Sequence, residues 1–236
     1  MTRTFPESAP NIAALGAAIA DPTRAMICTV LLDGRAWTPT ELARSLGVAL
    51  SSVSEHVSIL IDQGVLTERR QGRHRYVQVA STDIADWLEL TGVLAGDERA
   101  TPPSLSAATR DRHLLEARTC YRHLAGDLGV RLFAALSLRG WIDETVAVTE
   151  GGSNGLAEEW GIKVPDPGTS SRPVVRRCLD WTERRSHLGG WLGDELCRTF
   201  VDREWIIRRR GSRAVRITAT GRERLDWVLA VERNHR

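Results

Sequence analysis

Two pairs of side chains in this 236-residue chain are of the types that hold a metal. Cys120 stands three residues before His123, and Cys178 nine before His187. Two thiolates and two imidazoles suit tetrahedral zinc. The spacing is irregular, and the four meet only if the two regions that carry them face each other. Cysteine is among the most buried residue types, so inert core cysteines are the favoured reading. A redox switch through Cys120 and Cys178 is also open to them, although no neighbouring residue in the sequence gives a reason for a lowered thiol pKa. Cys28, on an apolar helix face, and Cys197 read as structural. Asp180 and Glu183 read as a capping box.

A second group of residues suits an organic ligand. Six of the eight tryptophans follow residue 140 (Trp141, Trp160, Trp181, Trp191, Trp205 and Trp227), and Gly126-x-x-Gly129 is matched by Gly190-x-x-Gly193. Aromatic walls with glycine clearance make a small-molecule pocket, and Trp181 and Trp191 are its candidate walls. Core packing is the favoured alternative, since tryptophan fills cores.

A third group suits nucleic acid. Ser51, Ser52, Ser54, Glu55, His56 and Ser58 crowd one stretch, and Arg69, Arg70, Arg73, His74 and Arg75 crowd another. Short hydroxyls bond bases or phosphates, and arginine pairs with phosphate and enters narrow minor grooves. For Ser51 and Ser52 the alternative is helix capping, and for His56 it is helix packing. Glu55 repels phosphate unless it accepts from cytosine. The basic stretch has its own alternative, a solvated charged hairpin.

The elements that position this third group are written locally. Asp21-Pro22 opens a helix whose apolar face is Met26, Ile27, Val30 and Leu31, and Asp33-Gly34 closes it. Thr38-Pro39-Thr40-Glu41 is a capping box with proline at the first helical position, and it opens Glu41–Leu46. Gly47 permits a sharp turn. A third helix begins near Ser51 or Ser52, buries Val53, Val57, Leu60 and Ile61, and ends at Gly64. Val65–Arg70 and Arg73–Val79 then read as a hairpin about Gln71-Gly72. Helix, turn, helix and basic hairpin make a winged helix-turn-helix.

Glu41-Leu42-Ala43, Leu46-Gly47-Val48, Ser52-Val53-Ser54-Glu55-His56-Val57-Ser58-Ile59-Leu60 and Gly64-Val65-Leu66 together resemble the ArsR-type (arsenic and metal sensor) repressor family. The resemblance covers roughly residues 11–95. Val57 and Val65 stand where the family pattern has leucine. The resemblance implies a homodimer that binds double-stranded operator DNA and leaves it on binding an effector. The family's usual metal positions are not matched. The helix Glu41–Leu46 has no cysteine, and Asp83, Asp86 and Glu89 have no histidine partner. Flanking apolar stripes (Ile12, Leu15 and Ile19; Ile84, Trp87, Leu88 and Val93) are the expected dimer seam.

The rest of the chain is a second domain. Residues 1–96 form the DNA-binding and dimerisation domain, 97–106 a Pro- and Ser-bearing linker, and 107–236 an effector-binding or dimerisation domain. The latter carries an internal repeat, 119–163 and 177–232, in which His123, Leu128, Gly129, Trp141 and Ile142 recur at an offset of 64. Each copy reads as helix, strand or hairpin, then helix, and Val164–Arg172 is the loop between them. Trp205–Thr218 resembles another wing, whose Arg208, Arg209, Arg210, Arg213 and Arg216 are a possible second basic site. The expected fold is mostly α with small β-hairpin wings: a winged helix-turn-helix followed by an α+β region of two winged-helix-like repeats.

Composition narrows the class. Apolar residues are 42% and charged residues 26%, as in a globular domain. There is no membrane-length apolar run and no secretion signal, and four cysteines without a framework spacing suggest a reducing, cytoplasmic compartment. The net charge of +2 excludes little. No phosphate-binding Gly loop, zinc-protease helix or nucleophile elbow is present, so an enzyme is the lesser alternative. An architectural DNA binder without an effector is the nearer one. No cofactor is required by this reading; an effector, metal or small molecule, is left open in identity.

Overall fold

The computed structural model describes residues 12–95, 105–166, 168–169, 172–209 and 212–230. Its described elements are mostly helices with four separate two-stranded antiparallel sheets. The chain divides into two compact units. One comprises residues up to Leu31 with Arg35–Ala85, and the other Leu32–Gly34 with residues from Asp86 onward.

The first unit contains α1 (Ile12–Ile19), α2 (Pro22–Leu31), α3 (Pro39–Leu46), α4 (Leu50–Asp62), β1 (Leu66–Gln71), β2 (His74–Val79) and the start of α5 (Thr82–Ala95). Asp21 caps α2 by accepting from the backbone N–H groups of Thr23 and Arg24. Thr38 and Glu41 form the expected reciprocal capping box on α3. Gly47 closes α3 in the left-handed conformation. Ile27, Leu31, Leu42, Val53, Val57, Leu60, Val65 and Val77 are the core of this unit. Met26, expected in the buried face, is 43% exposed, and Cys28 takes a buried place instead. Burial pushes the Cys28 thiol up to about 12, in keeping with an inert packing role.

The second unit continues through the rest of α5 and through α6 (Leu105–Glu116). Then follow β3 (Arg118–Cys120), β4 (His123–Ala125), α7 (Gly126–Leu138) and α8 (Glu150–Trp160). After them come β5 (Arg176–Leu179), β6 (Ser186–Gly189), α9 (Gly190–Asp202), β7 (Ile206–Arg208), β8 (Val215–Ile217), α10 (Ala219–Arg224) and α11 (Asp226–Leu229). The units part inside α5 rather than at the expected linker, of which 97–104 lie outside the described residues. Asp86 and Glu89 on α5 pair with Arg176 and Arg213 of the second unit, which accounts for the earlier boundary.

The two halves of the second unit share several local features. Helices α7 and α9 both have 13 residues and begin at Gly126 and Gly190. Thr149 and Thr218 each cap the next helix by accepting from a glycine N–H, Gly152 or Gly221. The copies diverge after the Trp-Ile pair, where the first keeps a single bridge, Ile142 to Val148, and the second makes the full β7–β8 hairpin. Each copy also begins with a hairpin that sequence patterning does not reveal, β3–β4 or β5–β6. Leu128, Leu132, Leu136, Leu192, Leu196 and Phe200 of the paired helices share one core.

Candidate DNA-reading surface and a buried Cys–His cluster

On the first unit, α4 divides cleanly. Val53, Val57 and Leu60 face inward, while Ser51, Glu55 and Ser58 are exposed and Ser52, Ser54 and His56 half-buried. The helix starts at Leu50 with Ala49 as N-cap and no side-chain cap. Ser51 and Ser52 are therefore inside the first turn and do not cap it, contrary to that alternative. The Ser58 hydroxyl donates to the Ser54 carbonyl, 3.0 Å away, and keeps its lone pairs as acceptors. His56 turns Nδ1 inward, 3.8 Å from Asp21 Oδ1. Its place is thus as much against the start of α2 as on the reading face.

The wing is the β1–β2 hairpin, closed by Gly72 and Arg73, with Arg69 opposite Tyr76, Arg70 opposite Arg75 and Gln71 opposite His74. Arg69, Arg70, Arg73 and His74 are exposed. Arg75 differs: it is half-buried, and its Nε lies 2.5 Å from Glu68 Oε2. Arg70 also pairs with Glu68, more loosely, at 3.9 Å, so Arg69 and Arg73, with the exposed Arg70, make up the cationic tip.

On the second unit, Cys120 and His123 are cross-strand partners in β3–β4, and Cys178 and His187 are partners in β5–β6. Each repeat thus contributes one thiol and one imidazole. The four ligand atoms all lie within 4.8 Å of one another. Cys120, His123 and His187 are buried, and Cys178 is half-buried. The Sγ atoms are 3.8 Å apart and the His123 and His187 Nε2 atoms 3.1 Å apart. Behind the rings, His187 Nδ1 lies 3.2 Å from Asp180 Oδ2, and His123 Nδ1 lies 3.7 Å from Asp194 Oδ1.

The helix glycines make this approach possible. A Cβ on Gly129 would sit 2.4 Å from the Leu124 carbonyl oxygen and 3.5 Å from His187 Cβ. On Gly193 it would sit 2.4 Å from the Leu188 oxygen and 3.1 Å from His123 Cβ. Each repeat's glycine clears space for its own hairpin and for the other repeat's histidine.

The electrostatics follow from the contacts. The Cys120 contact, with His123 and His187 nearby, holds the Cys178 thiol down to about 2, against the opposing effect of burial. Cys120, sharing the proton and fully buried, is pushed well up. Burial acts against the charged form of His123, but Asp194 and the Cys178 thiolate raise it to about 9. The geometry therefore supplies the thiolate that no local sequence signal gave.

Asp180 is not part of a helix capping box. It sits fully buried in the turn of β5–β6 and accepts from Arg118 Nη2 and from the Gly126 N–H, each at 2.7 Å. It also accepts from Thr182 and Glu183. Arg118 in turn lies over the Trp181 ring. This network ties one repeat's turn to the other's strand and helix start. Asp180 and Asp194 are the residues sequence reading missed. The only signal pointing to them was that the two histidines fall at the same place in the repeat.

The other candidates are placed differently. Trp141, Trp160, Trp205 and Trp227 pack against one another or against Phe200, with Trp160 and Trp227 stacked at 5.4 Å. They are core, not pocket walls. Trp191 is half-buried and borders a cleft of about 340 Å³ with Tyr121, Asp194 and Arg198. Burial pushes the Cys197 thiol up to about 11. The supposed second basic site is largely engaged: Arg213 pairs with Glu89, and Arg208 donates to the Asp33 carbonyl. Arg210 lies outside the described residues. No single described helix is long and apolar enough to cross a membrane.

Residues 19–69 match a family model described as a helix-turn-helix domain. The chain is 34% identical over 225 residues to the Bacillus subtilis protein named uncharacterized HTH-type transcriptional regulator YdfF, covering 94% of this chain and 99% of that one. It is 40% identical over 74 residues to the HTH-type transcriptional regulator CmtR of Mycobacterium tuberculosis, or 31% of this chain and 62% of that one. It is also 34% identical over 93 residues to a probable mercury resistance operon repressor of Streptomyces lividans, or 39% and 71% of the two chains.

Proposed function

The chain belongs to the HTH-type transcriptional regulators, and from that premise we propose that it is an ArsR-type homodimeric repressor that leaves its operator when the second unit binds an effector. The observation that carries the DNA-reading part is the division of α4, which anchors three apolar residues in the core and exposes Ser51, Glu55 and Ser58, with Ser52 and Ser54 half-exposed, in a unit that also carries an arginine-tipped wing. Helix α4 enters the major groove, where base edges carry a readable donor and acceptor code. The serines and Glu55 contact base edges or backbone there. Arg69, Arg70 and Arg73 hold the flanking phosphates or the minor groove.

Dimerisation is supported by apolar side chains left on the helices that flank the reader. Ile12 of α1 is 74% exposed and Leu94 of α5 79%, with Leu90 also exposed. Leu88, expected in the seam, is buried within the chain and is replaced in that role by Leu90 and Leu94. The second unit acts in sensing, not catalysis. Asp86 and Glu89, near the family's expected metal region, are engaged by arginines, so sensing falls to other residues.

The test is a mobility shift and footprint with the full chain on DNA upstream of its own gene, with excess competitor DNA. The expected result is a competitor-resistant complex protecting two half-sites about one helical turn, or a multiple, apart. A complex fully removed by competitor, with no defined footprint, would favour an architectural DNA binder.

A further inference from the structure

We propose that Cys120, His123, Cys178 and His187 form a closed tetrahedral site for a thiophilic divalent cation, zinc in type, clamped between the two repeats of the second unit. The site rests on that unit's geometry alone and does not depend on the DNA-reading proposal.

The first support is metric. A tetrahedral ion with metal–sulfur bonds of about 2.3 Å and metal–nitrogen bonds of about 2.05 Å sets its sulfurs about 3.8 Å apart and its nitrogens about 3.3 Å apart. The sulfurs here are 3.8 Å apart and the nitrogens 3.1 Å apart. All four donors converge from two hairpins, one Cys–His pair from each, so the ligand count is complete without solvent. A site with four protein ligands is of the structural or regulatory type, not the catalytic type.

The second support is the direction of the rings. Both histidines turn Nε2 to the centre and Nδ1 towards a carboxylate, Asp194 or Asp180. The two Nε2 atoms lie 3.1 Å apart, a hydrogen bond whose proton stands where a cation bound to both rings would stand. A carboxylate behind each imidazole is the arrangement that fixes the tautomer of metal-bound histidine. Cys120 and Cys178 are free thiols, and their sulfurs stand well beyond disulfide bonding distance.

The third support is that the fold keeps the space open. Gly129 and Gly193 lie within helices, where glycine is unfavourable, and a Cβ on either would press on its own hairpin, while one on Gly193 would also press on His123 of the opposite repeat. The irregular spacing of the ligands has a plain cause. Two residues separate Cys120 from His123 and eight separate Cys178 from His187, because the second hairpin has the longer turn that carries Asp180.

The experiment is equilibrium titration of the reduced full chain with Zn²⁺, and separately with Co²⁺, after chelator dialysis, alongside Cys120→Ser, Cys178→Ser and Cys197→Ser variants. The wild type is expected to take up one ion per chain, with Co²⁺ giving the intense visible spectrum of a tetrahedral site with thiolate ligands. Loss of either ligand thiol is expected to weaken binding by at least about 100-fold, the upper end of what outer-shell losses cost, and Cys197→Ser to leave it unchanged. Alkylation followed by peptide mapping serves as the second readout on the wild type itself, in case a variant does not fold. Zn²⁺ is expected to protect Cys120 and Cys178 together. No uptake by the folded, reduced wild type, unchanged uptake in both ligand variants, or no joint protection of those two thiols would overturn the proposal.

Discussion

Arg73 stands at the turn of the wing, exposed, where its charge has only phosphate to meet in a complex. Arg73→Ala is expected to weaken binding to all DNA sequences alike and to lower the slope of log affinity against log salt by about 1. Ser54→Ala on α4 is expected to change sequence preference and leave the salt slope alone; anisotropy titrations at several salt concentrations check both. In the second unit the sharpest residue-scale prediction concerns Asp194, whose Oδ1 is buried behind His123 and whose Oδ2 accepts from Arg172 Nη1. Asp194→Asn is expected to weaken Zn²⁺ binding by about 10- to 100-fold while all four thiols remain countable. Gly193→Ala would place a methyl 2.4 Å from the Leu188 carbonyl oxygen and is expected to cost about 1–3 kcal/mol in a denaturant melt.

Among the elements, the first unit was readable because its signals are local. Thr38, Pro39 and Glu41 cap α3 with their own atoms, and Gly47 and Gly64 end the helices they follow. Thr38→Ala is accordingly expected to cost about 1 kcal/mol, and the same melt measures it. The start of α4 was less legible, since a serine pair resembles a cap wherever it stands, and here the backbone enters the helix two residues sooner, at Ala49. The hairpins β3–β4 and β5–β6 gave no periodic signal because their strands are only three or four residues long. Their pairing is decided by the helices packed on them. Asp180 illustrates the same limit: its partners Arg118 and Gly126 are far away in the chain, so its local neighbours, Thr182 and Glu183, suggested only a cap. The repeat offset of the histidines was visible, and the longer second turn hid the matching offset of the cysteines.

At the scale of the whole molecule, a helix-turn-helix unit is followed by a second unit in which a hairpin and a 13-residue helix occur twice. The match to a full-length regulator over 94% of this chain places both parts within one kind of protein. If α4 reads base edges as proposed, the chain distinguishes one DNA sequence from others. The most direct measurement is the ratio of affinities for a selected operator and for a scrambled duplex of the same length, taken with the full chain at two salt concentrations. A ratio of at least about 10³ is expected at both salts, with absolute affinity falling as salt rises. A ratio near one at both salts would contradict it.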